Sequence, residues 1–486
     1  MRMANPNSAR SILSDRGRRE TLFLQILVVL GVLVASMVVA LVTASRLVDL
    51  KFVAGAVLAV GALVLWLRSG ERNPLGILAI AASAGMANFV TLPTGSGSRL
   101  VISLVVALGV FFFWILDILT KHRKLQLVSS PLNAPVFAWV LVSLVSFVWS
   151  TLLRDPLVYV PSSFIVVQAA AFLVNILLPL LMLLIINTVV EVRWLYALVA
   201  VILGVAAIAM VSEKLDLSIW PAYTNGTRGL FGMWAFTLAI ALALIARDLP
   251  PWLRLGLLGL AGLWGWHYFF NLTVWLSGWL PMAISLGVLL FFYSKRLFVL
   301  FLIAGLAVVA WKFPEIYLRV VVANVEEGST SRLEIWKMAM EHVIRHPLLG
   351  MGPAGYAVYN MTYHPIDARS THNNYFDIVA QTGFIGLGVF LWMMVRILMT
   401  GWRTLARFPQ RGNFESALAA AVLAGTVGAA AGMMLGDWVL PFAYNQTISG
   451  FDNAAFTWLL FGALGALSSI GLVKAAATVP EGESTT

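Results

Sequence analysis

The stretch Arg369-Ser370-Thr371-His372-Asn373-Asn374-Tyr375-Phe376-Asp377 sets a histidine, an arginine and two asparagines directly before an apolar run. Imidazole titrates near neutral pH, so His372 is a candidate general base toward a hydroxyl. Asn373 and Asn374 are of a type that fixes an imidazole tautomer. Arginine binds a diphosphate through paired, planar hydrogen bonds. Arg369 stands in the same stretch, and Arg332 and Arg319 lie upstream in the same polar region. A positioned base and fixed cations suit displacement of a phosphorylated leaving group by a hydroxyl. A single loop histidine is more often structural or solvated than catalytic. The neighbouring arginines and asparagines shift the balance toward chemistry.

The elements that hold these residues read as follows. Pro314-Glu315-Ile316-Tyr317-Leu318-Arg319 and the turn-like Glu326-Glu327-Gly328-Ser329-Thr330 lead into Ser331-Arg332-Leu333-Glu334. That tetrad reads as a capping box and predicts a helix from Arg332 to about Arg345. Leu333, Trp336, Met340, Val343 and Ile344 recur at helical spacing, so one face is expected against the membrane surface or a helix bundle, with Trp336 at the interface. Next, His346-Pro347-Leu348-Leu349-Gly350-Met351-Gly352-Pro353-Ala354-Gly355-Tyr356 contains G-x-G-x-x-G. It is not a nucleotide fingerprint, because it follows a helix and Pro353 removes a donor N–H. A sharp turn is expected there.

The rest of the chain is largely apolar. It is 60% hydrophobic and 11% charged, with a mean hydropathy of +0.90. Soluble domains carry roughly 25% charged residues. A membrane helix takes about 20 apolar residues, and the runs are continuous rather than alternating, which excludes a barrel. The expectation is an all-α, polytopic bundle of about 14 spans, or 12 if neighbouring runs merge, with one large extracytoplasmic loop containing amphipathic helices. The spans are expected at 22–44, 52–67, 75–92, 100–120, 135–153, 163–189, 194–211, 230–246, 254–271, 279–293, 297–312, 377–398, 416–436 and 453–473. The organisation is then a basic tail (1–21), a first membrane part (22–312), the loop (313–376), a last membrane part (377–473) and a C-terminal tail (474–486).

Charge placement orients the chain. Arg68 and Arg72; Lys121, Arg123 and Lys124; Arg193; Arg247 and Arg254; Lys295 and Arg296; and Arg403, Arg407 and Arg411 all fall in alternate connections. The positive-inside rule puts these connections and both termini in the cytoplasm, and the 313–376 loop outside the cytoplasmic membrane. It also accounts for the net charge of +10 without a nucleic-acid partner. The chain has no cysteine, which excludes disulfides, thiolate metal sites and thiol nucleophiles. Gln168 and Asn175, within a span, are expected to bond to neighbouring helices. Asp117 is expected to snorkel to the interface or to pair with Lys121, and Asp437 to be an exposed end-cap.

Two stretches together resemble the O-antigen ligase and O-antigen polymerase family of membrane glycosyltransferases. One is Ser331-Arg332-Leu333-Glu334-Ile335-Trp336 running to His346-Pro347-Leu348-Leu349-Gly350-Met351-Gly352. The other is His372-Asn373, a nine-residue gap, and Gly383-Phe384-Ile385-Gly386-Leu387. The resemblance implies transfer of a glycan from an undecaprenyl-diphosphate carrier to a hydroxyl of a glycan, lipid or protein acceptor, without cofactor or metal. It implies that His372 is the base and Arg332 a diphosphate ligand, with Asn373, Arg369 and Trp336 in support. Thr227-Arg228-Gly229-Leu230-Phe231-Gly232 is similar to the family's arginine-glycine stretch and adds Arg228. The sequence departs from the family at Leu276-Ser277-Gly278-Trp279, where Gly278 stands at an arginine position; Arg319 and Arg154 are candidates to replace it. The nine-residue gap favours a ligase over a polymerase. A transporter or flippase of lipid-linked glycans is the rival, but it would need charges along a transmembrane path, and the candidate residues gather outside the spans.

Overall fold

The computed structural model describes residues 74–85, 91–93, 99–119, 127–215, 229–271, 276–317, 332–365, 370–407, 412–442 and 447–477. The expected spans 22–44 and 52–67, the N-terminal tail and residues 478–486 lie outside the described residues, as do Ser331, Lys121, Arg228, Arg319 and Arg369.

The described helices are α1 (Leu75–Gly85), α2 (Ile102–Asp117), α3 (Asn133–Leu152), α4 (Phe164–Thr188), α5 (Val192–Lys214), α6 (Phe231–Ile245) and α7 (Pro251–Trp266). They continue with α8 (Leu276–Tyr293), α9 (Lys295–Tyr317), α10 (Arg332–Arg345), α11 (Gly355–Tyr363), α12 (Asn374–Arg407), α13 (Phe414–Gly432) and α14 (Phe451–Ala477). Eight of them are long and apolar enough to cross a membrane: α3, α4, α5, α8, α9, α12, α13 and α14. The helices α1, α2 and α6 are apolar but shorter. Of the run expected to span at 75–92, Leu75–Gly85 is helical and residues 86–90 lie outside the described residues. Thr91–Pro93 (β1) instead pairs antiparallel with Arg99–Val101 (β2), Leu92 opposite Leu100. The intervening Thr94-Gly95-Ser96-Gly97-Ser98 is turn-forming by composition, which favours a hairpin over a continued helix.

Burial grades the bundle. The apolar window of α14 is 83% buried and that of α13 is 78%, whereas none of the α9 window is buried. The centre is therefore α14 packed on α4, with α13 between α6 and α8. The α13 sequence is mostly alanine and glycine, which lets neighbouring backbones approach closely. Buried indole N–H groups find acceptors, as an apolar medium requires. Trp234 donates to Thr457 Oγ1 at 2.8 Å, Trp139 to the Asn175 carbonyl at 2.9 Å and Trp458 to the Val439 carbonyl at 2.8 Å. The polar side chains on α4 bond across helices as expected. Asn175 donates to Gln381 Oε1 at 3.1 Å, and Gln168 donates to Ser150 Oγ at 3.3 Å and accepts from Arg154 at 2.8 Å.

A second, smaller core sits apart from the bundle core. Ala339 and Val343 of α10, Met351 and Ala354 of the following turn, Tyr356, Val358 and Tyr359 of α11, and Val379 and Ala380 of α12 form it, closed by Val158, Phe164 and Phe442. This core fixes α10 and α11 against the first turns of α12, which His372 precedes.

Candidate active site

Helix α10 begins at Arg332 and ends at Arg345, as its spacing predicted. Its buried face differs from the expected one. Ile335, Ala339, His342 and Val343 are buried, while Leu333 and Ile344 are 72% and 68% exposed. The buried stripe lies one position from the apolar spacing of the sequence, with a histidine, His342, on it. Trp336 lies beside this face and points toward α12. Its Nε1 donates to the Thr371 carbonyl at 2.8 Å, and its ring stacks on Phe376 with centroids 5.2 Å apart and planes 18° apart.

The glycine-rich turn after α10 locks onto a break in α12. Gly383 has φ 68° and ψ −174°, which interrupts the helical ladder. The freed groups do not go unpaired. Met351 N–H donates to the Ala380 carbonyl at 2.8 Å and Gly352 N–H to the Gln381 carbonyl at 2.9 Å. In return, Phe384 N–H donates to the Pro347 carbonyl at 2.8 Å. Ser146 Oγ lies 2.8 Å from the Leu349 carbonyl and 2.6 Å from that of Gln381, joining α3 to the seam. A Cβ on Gly383 would sit 2.1 Å from the Leu348 oxygen, and one on Gly352 would sit 1.8 Å from Ser150 Oγ. The seam therefore needs glycine at both positions.

His372 occupies the turn that enters α12. It is exposed and has φ 48°, a left-handed conformation uncommon for a non-glycine residue. Its neighbours are buried and bonded. Asn373 Oδ1 accepts the Tyr375 N–H at 3.0 Å, so Asn373 caps α12. Thr371 donates its hydroxyl to the Asp377 carboxyl and accepts the Asn373 N–H at 3.3 Å. Asn374 reaches sideways, accepting the Val439 N–H at 2.9 Å and donating to the Leu440 carbonyl at 2.6 Å. Tyr375 donates to the Ala430 carbonyl at 2.8 Å. The side-chain oxygens of both asparagines thus hold backbone. The result is a rigid collar around one exposed imidazole.

Arg332 is one helical turn from Trp336, roughly 6 Å along the axis, and Trp336 bonds the residue before His372. That places the start of α10 beside the His372 turn. Arg154 is half-buried, held by Gln168 and lying 5.0 Å over the Phe164 ring. Gly278 is buried in α8. Gly229, next to Arg228 in the chain, has φ 57° and lies against Asn453 and Trp438. Trp438 precedes Val439 and Leu440, which Asn374 binds. The 433–442 segment therefore joins Gly229 to the histidine turn.

Residues 217–391 match the family model described as O-antigen ligase. This stretch is an O-antigen ligase family domain. It covers just over a third of the chain, from before α6 to the middle of α12, and includes Arg332, Trp336, His372 and the Gly383 break. No curated protein matches the chain. With its apolar helices, the O-antigen ligase domain belongs to a polytopic membrane protein.

Further buried polar residues lie outside the roles expected from the sequence. Asp437 is buried, not an exposed end-cap, and accepts the Phe442 N–H at 3.2 Å. It interacts electrostatically with Asp377, which is also buried. Nothing in the local sequence marked this pair, because the two carboxyls come from distant segments. His342 is ringed by Tyr363, His364, Tyr359 and Tyr356, with centroids 5.6, 5.4, 6.2 and 6.4 Å away. Burial pushes His342 down to about 4, and burial also lowers His346. Asp155 ties this cluster to the α3–α4 connection: Tyr363 donates to Asp155 Oδ2 at 2.5 Å, and Asp155 N–H donates to the Tyr359 hydroxyl at 3.1 Å.

Proposed function

We propose that the chain is a glycosyltransferase that moves a glycan from an undecaprenyl-diphosphate carrier to an acceptor hydroxyl on the outer face of the cytoplasmic membrane. The observation that carries this reading is the His372 turn: an exposed imidazole in a left-handed conformation, with its flanking residues buried and bonded. Such an arrangement costs about 1–3 kcal/mol in backbone strain and serves preorganisation of a reactive group.

His372 takes the proton from the acceptor hydroxyl. The oxygen attacks the anomeric carbon as the bond from that carbon to the carrier's phosphate oxygen breaks. Negative charge then develops on the departing diphosphate, and Arg332 meets it from the first turn of α10, with Arg228 and Arg319 as further candidates. Direct displacement inverts the anomeric configuration. A hydroxyl acceptor on a lipid or protein, as in a ligase, fits the nine-residue spacing between His372-Asn373 and Gly383.

The test is glycan transfer by the purified protein from a polyprenyl-diphosphate donor, with the product examined by NMR. The expected result is a new glycosidic bond of inverted configuration. Retained configuration would rule out direct displacement. Transbilayer movement of the donor with no new bond would replace this reading with a transporter.

A further inference from the structure

At the far end of α12 from His372, α8 and α12 both rest on α13 and leave a groove of about 530 Å³. Its floor is Leu423 and Val427 of α13. Val288 and Phe292 of α8 form one wall, and Leu398, Met399 and Trp402 of α12 form the other. Phe292 and Trp402 meet edge to face at 5.7 Å and bridge the walls at one end. The lining is apolar apart from Arg403, which is exposed and has no carboxylate partner among the described residues.

Cations predominate at this end of the bundle, where Glu415 stands in the first turn of α13 and Asp248 accepts the Phe414 N–H at 3.2 Å. Arg407 follows Arg403 by one turn, and Lys295 and Arg296 open α9 directly after the end of α8. The Lys295 ammonium sits over the Phe291 ring. An apolar slot between membrane helices, with an arginine at its rim and further cations beside it, matches an acyl chain joined to an anionic phosphate. A tryptophan at the same level suits the headgroup interface. The groove lies roughly 40 Å along α12 from His372, so a carrier diphosphate held near His372 is not the group that meets Arg403.

We infer that this groove binds one acyl chain of an anionic glycerophospholipid, whose phosphate is held by Arg403. Binding is measured by native mass spectrometry and by thermal unfolding of the full chain in detergent, with added dioleoyl-phosphatidylglycerol or dioleoyl-phosphatidylcholine. The expected result is selective retention of phosphatidylglycerol and a rise in unfolding temperature with that lipid alone. Arg403→Gln is expected to weaken phosphatidylglycerol binding by about tenfold, and Met399→Trp, which narrows the slot, to weaken it without changing the charge. Equal binding of the two lipids, or unchanged binding in both variants, would overturn the assignment. So would displacement by a polyprenyl monophosphate at concentrations where phosphatidylglycerol fails to compete, since that would give the groove to the isoprenoid carrier.

Discussion

The indole N–H of Trp336 donates to the carbonyl of Thr371 at 2.8 Å. Through this bond the helix that starts at Arg332 is tied to the residue preceding His372. Helix and turn are separated in sequence by the glycine seam and α11, so their relative position rests on a few long-range contacts. Trp336→Phe keeps the stack on Phe376 but removes the donor. The orphaned carbonyl is expected to cost about 1–3 kcal/mol. Glycan transfer is expected to fall by about ten- to a hundredfold through misplacement of the cation and base. An unchanged turnover rate in this variant would mean that the tether is not needed.

Gly383 is where the seam brings a glycine closest to another backbone, at the Leu348 carbonyl. Gly383→Ala brings a methyl within 2.1 Å of the Leu348 oxygen at a residue with φ 68°. A loss of more than about 2 kcal/mol is expected, read as a lower unfolding temperature. Gly388, also in α12, faces open space. Gly388→Ala is expected to be neutral or to stabilise by up to about 1 kcal/mol. If the two variants unfold alike, the seam does not carry the strain assigned to it.

Much of this was legible in the sequence, but unevenly. Helix α10, the sharp turn after it and the position of His372 before α12 all follow from local patterns. Capping, spacing, glycine and proline act within a few residues, so a sequence displays them. The pairing of the 347–352 turn with the break at Gly383 does not follow, although both motifs were visible. Which backbone groups lose their partners depends on ψ at a single glycine. Asn374 illustrates the same limit. Its type suggested a partner for imidazole, yet its side chain is taken by Val439 and Leu440, more than sixty residues away. The buried stripe on α10 is offset from the apolar spacing because His342 lies on it, and a polar residue type argues against burial until its aromatic neighbours are known.

His372 and Arg332 have separable roles in the proposed transfer, and their variants should separate kinetically. His372 is exposed, so His372→Ala is expected to fold normally and to lose about 10²–10⁴-fold in turnover. Arg332→Lys keeps the charge but not the planar pair of donors. It is expected to lose about 10²–10³-fold, and to recover part of the loss with a donor whose leaving group needs less charge stabilisation. His372→Ala should show no such recovery. Full activity in His372→Ala would remove the base assignment.

The aromatic cluster on α10 and α11 makes stability pH-dependent with a defined sign. His342 is held neutral in the fold, its pKa lowered to about 4 by burial, with the cationic forms of His364, Arg345 and His346 acting in the same direction. In the unfolded chain it titrates near 6.5. Between those values the unfolded chain binds more protons than the folded one, so stability rises with pH. The contribution is complete above about pH 6.5 and is lost as the pH falls toward 4. His346 is lowered in the same sense and steepens the slope. Asp155 acts in a lower window, because the Tyr363 hydroxyl holds its carboxyl below the usual range. Its contribution is still intact where His342 begins to charge. Hydrogen exchange in α10 and α11 is therefore expected to accelerate from pH 7 to pH 5 more than exchange in α13 or α14, after correction for intrinsic rates. His342→Phe keeps a ring among Tyr356, Tyr359 and Tyr363 but removes the titration, and should flatten most of that difference. An equal pH response in the wild-type chain and in this variant would assign the loosening to another group.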